Sequence, residues 1–198
     1  MIIESKRLIL RSWKIEDVVD LVEGLNNIEV AKWMVDVPHP YTKNDAKRFI
    51  ERANNNDKNI KIELAIVLKE SNKVIGGIKI RNINKKDGTA GGVIWINEKY
   101  QKNEYGKEAF SVRNKYCFVV LGLRKIVNSY FSNNEKSRRM QMQLGYKDKG
   151  IRRKNVLCLA TNEYVDECVT ELLKEDFVEY NNLIPMVWFL LKKILYMI

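Results

Sequence analysis

A mixed α/β fold with a mostly antiparallel, seven-stranded sheet is predicted by two patterns in the sequence. Residues 60–68, 74–83 and 92–97 are rich in β-branched side chains and are separated by short turns, which is typical of an antiparallel meander. Downstream, a helical segment lies between two further strand-like segments, which indicates a strand–helix–strand unit. The 198 residues fit one domain with helices packed on the sheet.

The segment before the meander is expected to hold one strand and two helices. Residues 2–11 alternate in part like a strand, and residues 14–26 place apolar side chains at helical spacing. Two prolines flank His39 and force an extended loop, because proline is excluded from regular helix. Thr42 and Asp45 have the spacing of a capping box, so the second helix is expected to begin there.

The segment after the meander supplies the remaining elements. A helix is expected over residues 105–121, since Gly122 suits its C-terminal cap, and a short amphipathic helix is expected over residues 137–144. The other strands are expected at residues 124–131, 149–159 and 164–173.

Composition restricts the classes of partner. The 35 Lys and Arg outnumber the 25 Asp and Glu, and the net charge of +10 favours an anionic partner. No aromatic-interleaved RNA motif is present, so specific nucleic-acid binding is not expected. Cys117, Cys158 and Cys168 lack CxxC spacing, and a single histidine excludes a multi-histidine site. Neither a disulfide framework nor a metal is therefore expected.

The two ends of the sequence bear on localisation and assembly. The first ten residues carry charges and no long apolar core, so they do not resemble a secretory signal peptide, and a cytoplasmic location is expected. Residues 183–198 are apolar except for Lys192 and Lys193, but are too short for an ordinary membrane span. As a helix, this segment needs burial against its own domain, a second subunit or a membrane interface. We favour a homodimer over membrane association.

The most specific motif follows the last strand of the meander. Free N–H groups and the helix dipole make a strand-to-helix junction suitable for phosphate. Here the sequence YQKNEYGKEA, residues 100–109, resembles the acyl-CoA loop of the GCN5-related N-acetyltransferases (GNAT). The family signature Gln/Arg-x-x-Gly-x-Gly/Ala is matched at Gln101 and Gly106, whereas Glu104 stands where the family has glycine.

Further segments resemble one branch of that family. Asn134 and Ser137, followed by the triplet Leu-Gly-Tyr at 144–146, resemble a block of the RimJ/RimL-like ribosomal-protein N-terminal acetyltransferases. Together with the opening strand and helix and the closing hairpin, the resemblance spans residues 3–177. It implies a GNAT domain over residues 1–177 and an apolar helical extension over residues 178–198.

The resemblance implies transfer of an acetyl group from acetyl-CoA to a primary amine, by direct attack in a ternary complex. The acceptor is a protein N-terminal α-amine or a small-molecule amine. An oxyanion donor is expected on the backbone around Trp95, Ile96 and Asn97. The residues expected to bind acetyl-CoA are these three and Gln101, Lys102, Asn103, Glu104, Tyr105, Gly106, Lys107, Asn134 and Ser137.

The catalytic groups are less well defined by the resemblance. The tyrosine that often serves as the family's acid is replaced by Gln141, so Ser137 is the candidate acid and Asn134 the candidate holder of the pantetheine amides. Either residue can instead be a helix cap. Glu98, His39 and Asp166 are alternative bases. Residues expected near the acceptor, or else in ordinary packing, are Trp33, Met34, Pro38, His39 and Tyr41.

Glu104 leaves other functions open. Two like charges about 4 Å apart repel by roughly 4 kcal/mol at an effective dielectric of 20, so Glu104 is expected to weaken CoA binding. One alternative is a CoA-binding or regulatory protein with impaired turnover. Another is a basic module for ribosome or RNA, based on the cluster Lys136, Arg138, Arg139, Lys147, Lys149, Arg152, Arg153 and Lys154, which also suits a solvated face or attraction of the CoA phosphates.

Overall fold

A single sheet organises residues 1–180, the part of the chain that the computed structural model describes. Its strands are β1 (Ile2–Glu4), β2 (Leu8–Arg11), β3 (Ile62–Leu68), β4 (Lys73–Asn84), β5 (Thr89–Ile96), β6 (Lys125–Phe131), β7 (Lys147–Cys158) and β8 (Glu163–Leu173). Their order is β1-β2-β3-β4-β5-β6-β8-β7. Adjacent strands are antiparallel, except that β5 and β6 pair in parallel.

The predicted mixed, mostly antiparallel sheet with flanking helices is confirmed, but the expected count of seven strands is wrong. The described residues form eight strands, because residues 2–11 are divided in two. The Ser5 N–H donates to the Leu8 carbonyl at 2.9 Å, which reverses the chain. The segments on either side of this turn then pair antiparallel as β1 and β2.

Helices cover both faces of the sheet. They are α1 (Val18–Leu25), α2 (Ile28–Ala31), α3 (Lys43–Asn55), α4 (Tyr105–Lys115) and α5 (Glu135–Gln143). The capping box predicted at Thr42 and Asp45 is present. The expected helix over residues 105–121 ends its α-helical part at Lys115 and continues as a π-helical turn, Tyr116–Val120.

Two hydrophobic cores fill the space between helices and sheet. One lies on the α4 face and includes Leu10, Ile80 and Ile126, all fully or almost fully buried. The other lies on the opposite face and joins α1 and α3 to the sheet through residues such as Leu21 and Ile50. Burial on both faces fixes the orientation of each strand, since a shift of one residue would exchange the two faces.

The segment after β8 returns along α4. The Glu179 carboxylate lies 2.6 Å from the Lys115 ammonium, and the Tyr180 N–H donates to the Ser111 hydroxyl at 3.0 Å. The C-terminal helix and the dimer contact expected at residues 183–198 lie outside the described residues. Within residues 1–180, no helix combines the length and apolarity needed to cross a membrane.

Candidate active site

The centre of the site is the point where β5 and β6 separate. These strands pair only at Thr89 with Lys125 and at Ala90 with Ile126. β5 then continues to Ile96 while paired with β4 on its other edge. The later residues of β5 therefore have one hydrogen-bonding edge turned toward the gap between β5 and β6.

Alternation along β5 identifies which backbone amide faces that gap. The Asn97 N–H donates to the Ile75 carbonyl at 2.9 Å, so it points toward β4. Successive amides of a strand point to opposite edges, so the Ile96 N–H points away from β4. Of the three residues expected to supply an oxyanion donor, Ile96 therefore has the suitable orientation.

Trp95 and Asn97 have structural contacts instead. The Trp95 indole packs on the α1 face, where a Cβ at Gly24 or Gly77 would lie only 2.5 Å from its ring. The Asn97 carboxamide oxygen accepts from the Lys99 N–H at 3.1 Å and caps the 3₁₀ turn Glu98–Tyr100. Both side chains shape the junction without facing the gap.

The loop between this turn and α4 is held by local hydrogen bonds. Gln101 donates its side-chain amide to the Ile96 carbonyl at 3.0 Å, and Asn103 donates to the Gln101 carbonyl at 3.2 Å. Arg7 donates to the Asn103 carbonyl and lies over the Tyr105 ring. These contacts fix the path of the loop before α4 begins.

Backbone conformation explains why the family motif has glycine at the position of Glu104. Lys102 and Glu104 have φ angles of 66° and 63°, in the left-handed region that glycine adopts most easily. Gly106 needs no such freedom, since an added Cβ would meet Ile96 and Met140 at ordinary distances of 3.5 and 3.7 Å. Glu104 thus adopts a backbone conformation typical of glycine despite having a side chain.

The N-terminus of α4 presents free backbone amides. Its first intrahelical bond joins the Glu108 N–H to the Glu104 carbonyl at 3.0 Å. The amides of Tyr105, Gly106 and Lys107 precede that bond and have no helical acceptor. With the helix dipole, they can hold a phosphate group.

The Glu104 carboxylate has two partners. Its Oε2 lies 2.8 Å from the Lys107 Nζ and accepts from the Tyr180 hydroxyl at 3.1 Å. The hydrogen bond from Lys107 and that from Tyr180 hold the pKa of Glu104 below its ordinary value. The carboxylate therefore stays ionised, and its repulsion of an anion is reduced by the neighbouring ammonium.

Asn134 and Ser137 lie at the start of α5. Asn134 is the N-cap, because its carboxamide oxygen accepts from the Ser137 N–H at 3.0 Å. The Thr170 hydroxyl donates to the Gln141 carboxamide oxygen at 2.7 Å, and Gln141 donates to the Ser137 Oγ at 3.1 Å. The Ser137 oxygen is thus occupied as an acceptor, while its own O–H is left to donate elsewhere.

Candidate bases lie in separate places. Glu98, the first residue of the 3₁₀ turn, accepts from the Asn27 side chain at 2.7 Å on the surface. His39 is exposed in the proline-flanked loop. The Asp166 carboxylate accepts from the Lys154 N–H at 2.7 Å. The described contacts bring none of these three groups to Ser137.

A cavity of about 180 Å³ lies on the sheet face opposite α4. Met34 and Tyr41 line it with Trp13, Phe49 and Trp95, and burial strongly raises the pKa of Tyr41. Trp33 and His39 do not line this cavity. Pro38 lines it as well, so three of the five residues expected near the acceptor are brought together.

The cavity also contains charges that sequence analysis did not identify. Lys79 Nζ lies 3.0 Å from Glu63 Oε1 and 3.3 Å from Asp36 Oδ2. Burial alone would raise the pKa of Glu63, but the ammonium groups of Lys79 and Lys61 outweigh it and lower that pKa. The sequence signal was Glu63 as the single charge in apolar β3, with Lys79 between two isoleucines of β4.

The predicted basic cluster spreads over α5 and β7. Arg138 pairs with Asp148, and Lys149 with Glu171, at 3.3 and 3.4 Å. Lys136 differs, because its Nζ lies 3.4 Å from the Gln101 side-chain oxygen and so adjoins the loop before α4. Most of the cluster is solvated, and Lys136 is its member closest to the loop.

Comparison with protein families agrees with this geometry. Residues 7–147 match the family model described as an acetyltransferase (GNAT) domain. The chain belongs to the GNAT family. Acetyl transfer is the general activity that this membership supports.

Two GNAT relatives extend over nearly the whole chain. A prophage-derived uncharacterized N-acetyltransferase YokL of Bacillus subtilis (strain 168) is 25% identical over 87% of this chain and 93% of its own. A GNAT-family acetyltransferase from Bacillus anthracis superposes with a TM-score of 0.77 at 23% identity, covering 88% of this chain and 99% of its own.

A more distant structure contains ligands. Spermidine N-acetyltransferase from Vibrio cholerae, in complex with CoA and spermine, has a TM-score of 0.73 at 18% identity, covering 86% of this chain and 97% of its own. At this identity the likeness concerns the fold alone.

Proposed function

We propose that this GNAT protein transfers an acetyl group from acetyl-CoA to a primary amine within a ternary complex. The observation that carries the proposal is the separation of β5 and β6 beside the free amides of Tyr105, Gly106 and Lys107. A diphosphate fits helix N-terminal amides, and an extended pantetheine arm fits an unpaired strand edge. Lys136 adjoins the same loop and adds a cation.

The chemistry proposed is nucleophilic acyl transfer. The amine nitrogen attacks the thioester carbonyl carbon, the C–S bond then breaks, and the amine loses a proton while the thiolate gains one. The Ile96 N–H is the proposed donor to the developing oxyanion, since it faces the gap. We assign no general base, and water accepts the proton that the amine loses.

Ser137 is the proposed acid for the leaving thiolate. The bond that it accepts from Gln141 leaves the Ser137 proton free to donate. Gln141 is in turn fixed by the Thr170 hydroxyl, and it is 2% exposed. We propose Gln141 as a positioning residue, because it acts through Ser137 and occupies the place of the family's usual tyrosine acid.

The acceptor is proposed to enter through the cavity opposite α4. Its rings and its charged triplet of Asp36, Glu63 and Lys79 suit an amine that carries both apolar and polar groups. The motif at Asn134 and Ser137 resembles the RimJ/RimL-like branch, which favours a peptide N-terminus over a simple polyamine. Small-molecule amines remain the alternative class.

Three further parts of the proposal concern organisation. We propose residues 1–177 as the catalytic domain and residues 178–198 as an extension that pairs two subunits. We propose a reducing, cytoplasmic location, which suits the three unpaired cysteines. A CoA-binding protein with impaired turnover is the second candidate, and the observation that favours it is the ionised Glu104 beside the proposed diphosphate site.

A turnover assay tests the proposed function. The purified protein is incubated with acetyl-CoA and either peptides with free N-termini or small amines, and release of the CoA thiol is followed. Transfer to a peptide N-terminus that fails with an N-acetylated copy of the same peptide is the expected result. CoA binding without turnover on either amine class supports the second candidate instead.

A further inference from the structure

A group of buried polar side chains lies against the inner face of α4. Arg113 and Asn114 of α4, with Asn128 of β6, are 1%, 0% and 3% exposed. Among residues 1–180, no well-aligned hydrogen bond reaches the three guanidinium nitrogens of Arg113, the Nδ2 of Asn114 or the side-chain polar atoms of Asn128. The neighbouring polar groups are the Cys117 thiol, beside Arg113, and the Tyr146 hydroxyl, beside Asn128. We call these three residues the vertex cluster.

The vertex cluster lies where β5 and β6 begin to separate. Their last paired residues are Ala90 and Ile126, and Gly92 and Asn128 each follow two positions later. A Cβ at Gly92 would lie 2.9 Å from the Arg113 Nη1, so the absence of a side chain there makes room for the guanidinium. The cluster therefore adjoins the inner end of the gap described above.

Contacts with Phe110 and Tyr146 orient Arg113 and Asn114 but do not accept hydrogen bonds from the Arg113 guanidinium or the Asn114 amino group. The Arg113 guanidinium lies 4.0 Å from the centre of the Phe110 ring, which covers one of its faces. The Tyr146 hydroxyl donates to the Asn114 Oδ1 at 3.0 Å, so the amino group of that carboxamide is directed away from Tyr146. The N–H groups of a guanidinium lie in its plane, and a ring stacked on its face cannot accept them.

The described protein supplies no counter-charge to Arg113. Glu108 on the same helix is bound instead by the Ser5 hydroxyl and the Arg7 Nε, both at 2.6 Å. Burial raises the pKa of Cys117 to about 11 even though the neighbouring Arg113 lowers it, so the thiol beside Arg113 is neutral near pH 7 and is no counter-charge. Residues 181–198 contain no Asp or Glu side chain.

A buried charge is costly unless it is paired and hydrogen-bonded. The vertex cluster has five guanidinium N–H groups and two carboxamide amino groups. The acceptors beside them in the described residues are neutral: the Asn128 carboxamide oxygen, the Cys117 sulfur and the Tyr146 hydroxyl oxygen. We propose that the vertex cluster binds a small anionic group, of halide or carboxylate size. Such a group would accept the in-plane donors of Arg113 and neutralise its charge.

Two sources of that anion have the same chemistry. One is a free inorganic ion such as chloride. The other, which rests on the proposed function, is the terminal carboxylate of a longer acyl group whose thioester lies in the gap between β5 and β6. The two sources are distinguished by separate arms of the test.

Bromide is the probe for the first arm. Crystals of the full chain are soaked in bromide, and anomalous scattering is measured at the bromine edge. An anomalous peak within about 3.5 Å of an Arg113 nitrogen is expected. In solution, replacing sodium gluconate by sodium bromide at equal ionic strength is expected to raise the Tm by about 3 °C.

Substitutions test whether the effect of bromide on the Tm depends on the vertex cluster. Arg113→Leu is expected to abolish the bromide dependence of the Tm. Arg153→Leu is the matched control, because Arg153 is exposed on β7 away from the cluster, and it is expected to keep the dependence. If Arg113→Leu fails to fold, the anomalous map of the unchanged protein decides.

The second arm compares acyl-CoA donors. If an acyl carboxylate is the ligand, succinyl-CoA is expected to bind at least about tenfold more tightly than acetyl-CoA, and this preference is expected to disappear in Arg113→Leu. If neither CoA ester binds, the proposed function fails while the bromide arm still tests the cluster. The proposal is overturned if bromide gives no peak and no Tm shift and the two esters bind equally.

Discussion

The loop before α4 and the cavity on the opposite sheet face differ in the groups that they present: backbone amides in the loop and side chains in the cavity. The loop offers chiefly backbone groups to the proposed cofactor, with free amides at Tyr105, Gly106 and Lys107 and left-handed φ angles at Lys102 and Glu104. The cavity depends on side chains from separate elements, among them Asp36, Glu63 and Lys79.

This difference determines how each region tolerates change. A backbone site keeps its donors when side chains vary, provided that the φ angles remain accessible, which is why Glu104 can occupy a glycine position. A side-chain site loses its charge balance when one member is replaced. Four substitutions follow in order of decreasing expected effect: the first tests the proposed acid on α5, and the other three test this contrast.

The largest effect is expected from Ser137→Ala, because it removes the only hydroxyl that the Gln141–Thr170 relay orients. General acid catalysis contributes about 100-fold or more, so kcat should fall by at least that factor while the affinity for acetyl-CoA is nearly unchanged. Steady-state kinetics measure this, with Ser132→Ala as the control from an exposed position nearby. An unchanged kcat would remove Ser137 from the mechanism.

Lys79→Met should destabilise the fold, since it removes one of the two ammonium groups from the buried Glu63. About 2 kcal/mol of unfolding free energy is expected to be lost at pH 7, because Lys61 still partners the carboxylate. Urea unfolding measures the loss. Lys99→Met removes an exposed pair with Glu23 and should leave the urea midpoint nearly unchanged.

The pH dependence of stability sharpens the same test. The pKa of Glu63 is lowered in the folded state, so its contribution is present above the unfolded value, near 4.5, and is lost as pH falls through the folded value. The unchanged protein should therefore lose more stability than Lys79→Met on acidification below about pH 4.5. Parallel curves would contradict this account of the cavity charges.

Glu104→Gly is expected to tighten acetyl-CoA binding about tenfold, since it removes a negative charge that Lys107 only partly offsets. The left-handed φ of 63° also becomes unstrained, which should stabilise the fold by about 1 kcal/mol. Glu104→Gln separates the two effects, because it removes the charge and keeps the Cβ. If Gln matches the parent in affinity, charge repulsion is not the cause.

The smallest effect is expected from Gly106→Ala. The new Cβ would meet only ordinary contacts, and the φ of Gly106 is not in the left-handed region. Acetyl-CoA affinity should change by less than about twofold. A large loss of affinity would mean that acetyl-CoA lies closer to Gly106 than hydrogen bonding to the free amides requires.

The same contrast explains what could be predicted from sequence. Periodicity located the meander and most helices, and the Thr42–Asp45 capping box was predicted correctly, because these signals are local. The loop motif was equally local. The division of residues 2–11 was missed, since the turn at Ser5 contains neither glycine nor proline.

Contacts between segments distant in the sequence could not be predicted from such local signals. The approach of Lys79 to Asp36 joins β4 to a loop some forty residues earlier, and Arg113 meets Gly92 only because α4 crosses β5. Spacing carries no information on such pairs. The available signal was Glu63, the single charge in apolar β3, which indicated burial without identifying a partner.

The central claim is that the loop before α4 holds the diphosphate of CoA. The most direct test is calorimetric titration of the purified protein with acetyl-CoA, repeated with dephospho-CoA, which keeps the diphosphate, and with Lys136→Ala. A dissociation constant in the micromolar range, weakened in Lys136→Ala, is the result expected if the amides of α4 and the adjoining cation hold the diphosphate. Absence of binding up to millimolar acetyl-CoA would contradict the account, since the loop geometry alone would then not make a cofactor site.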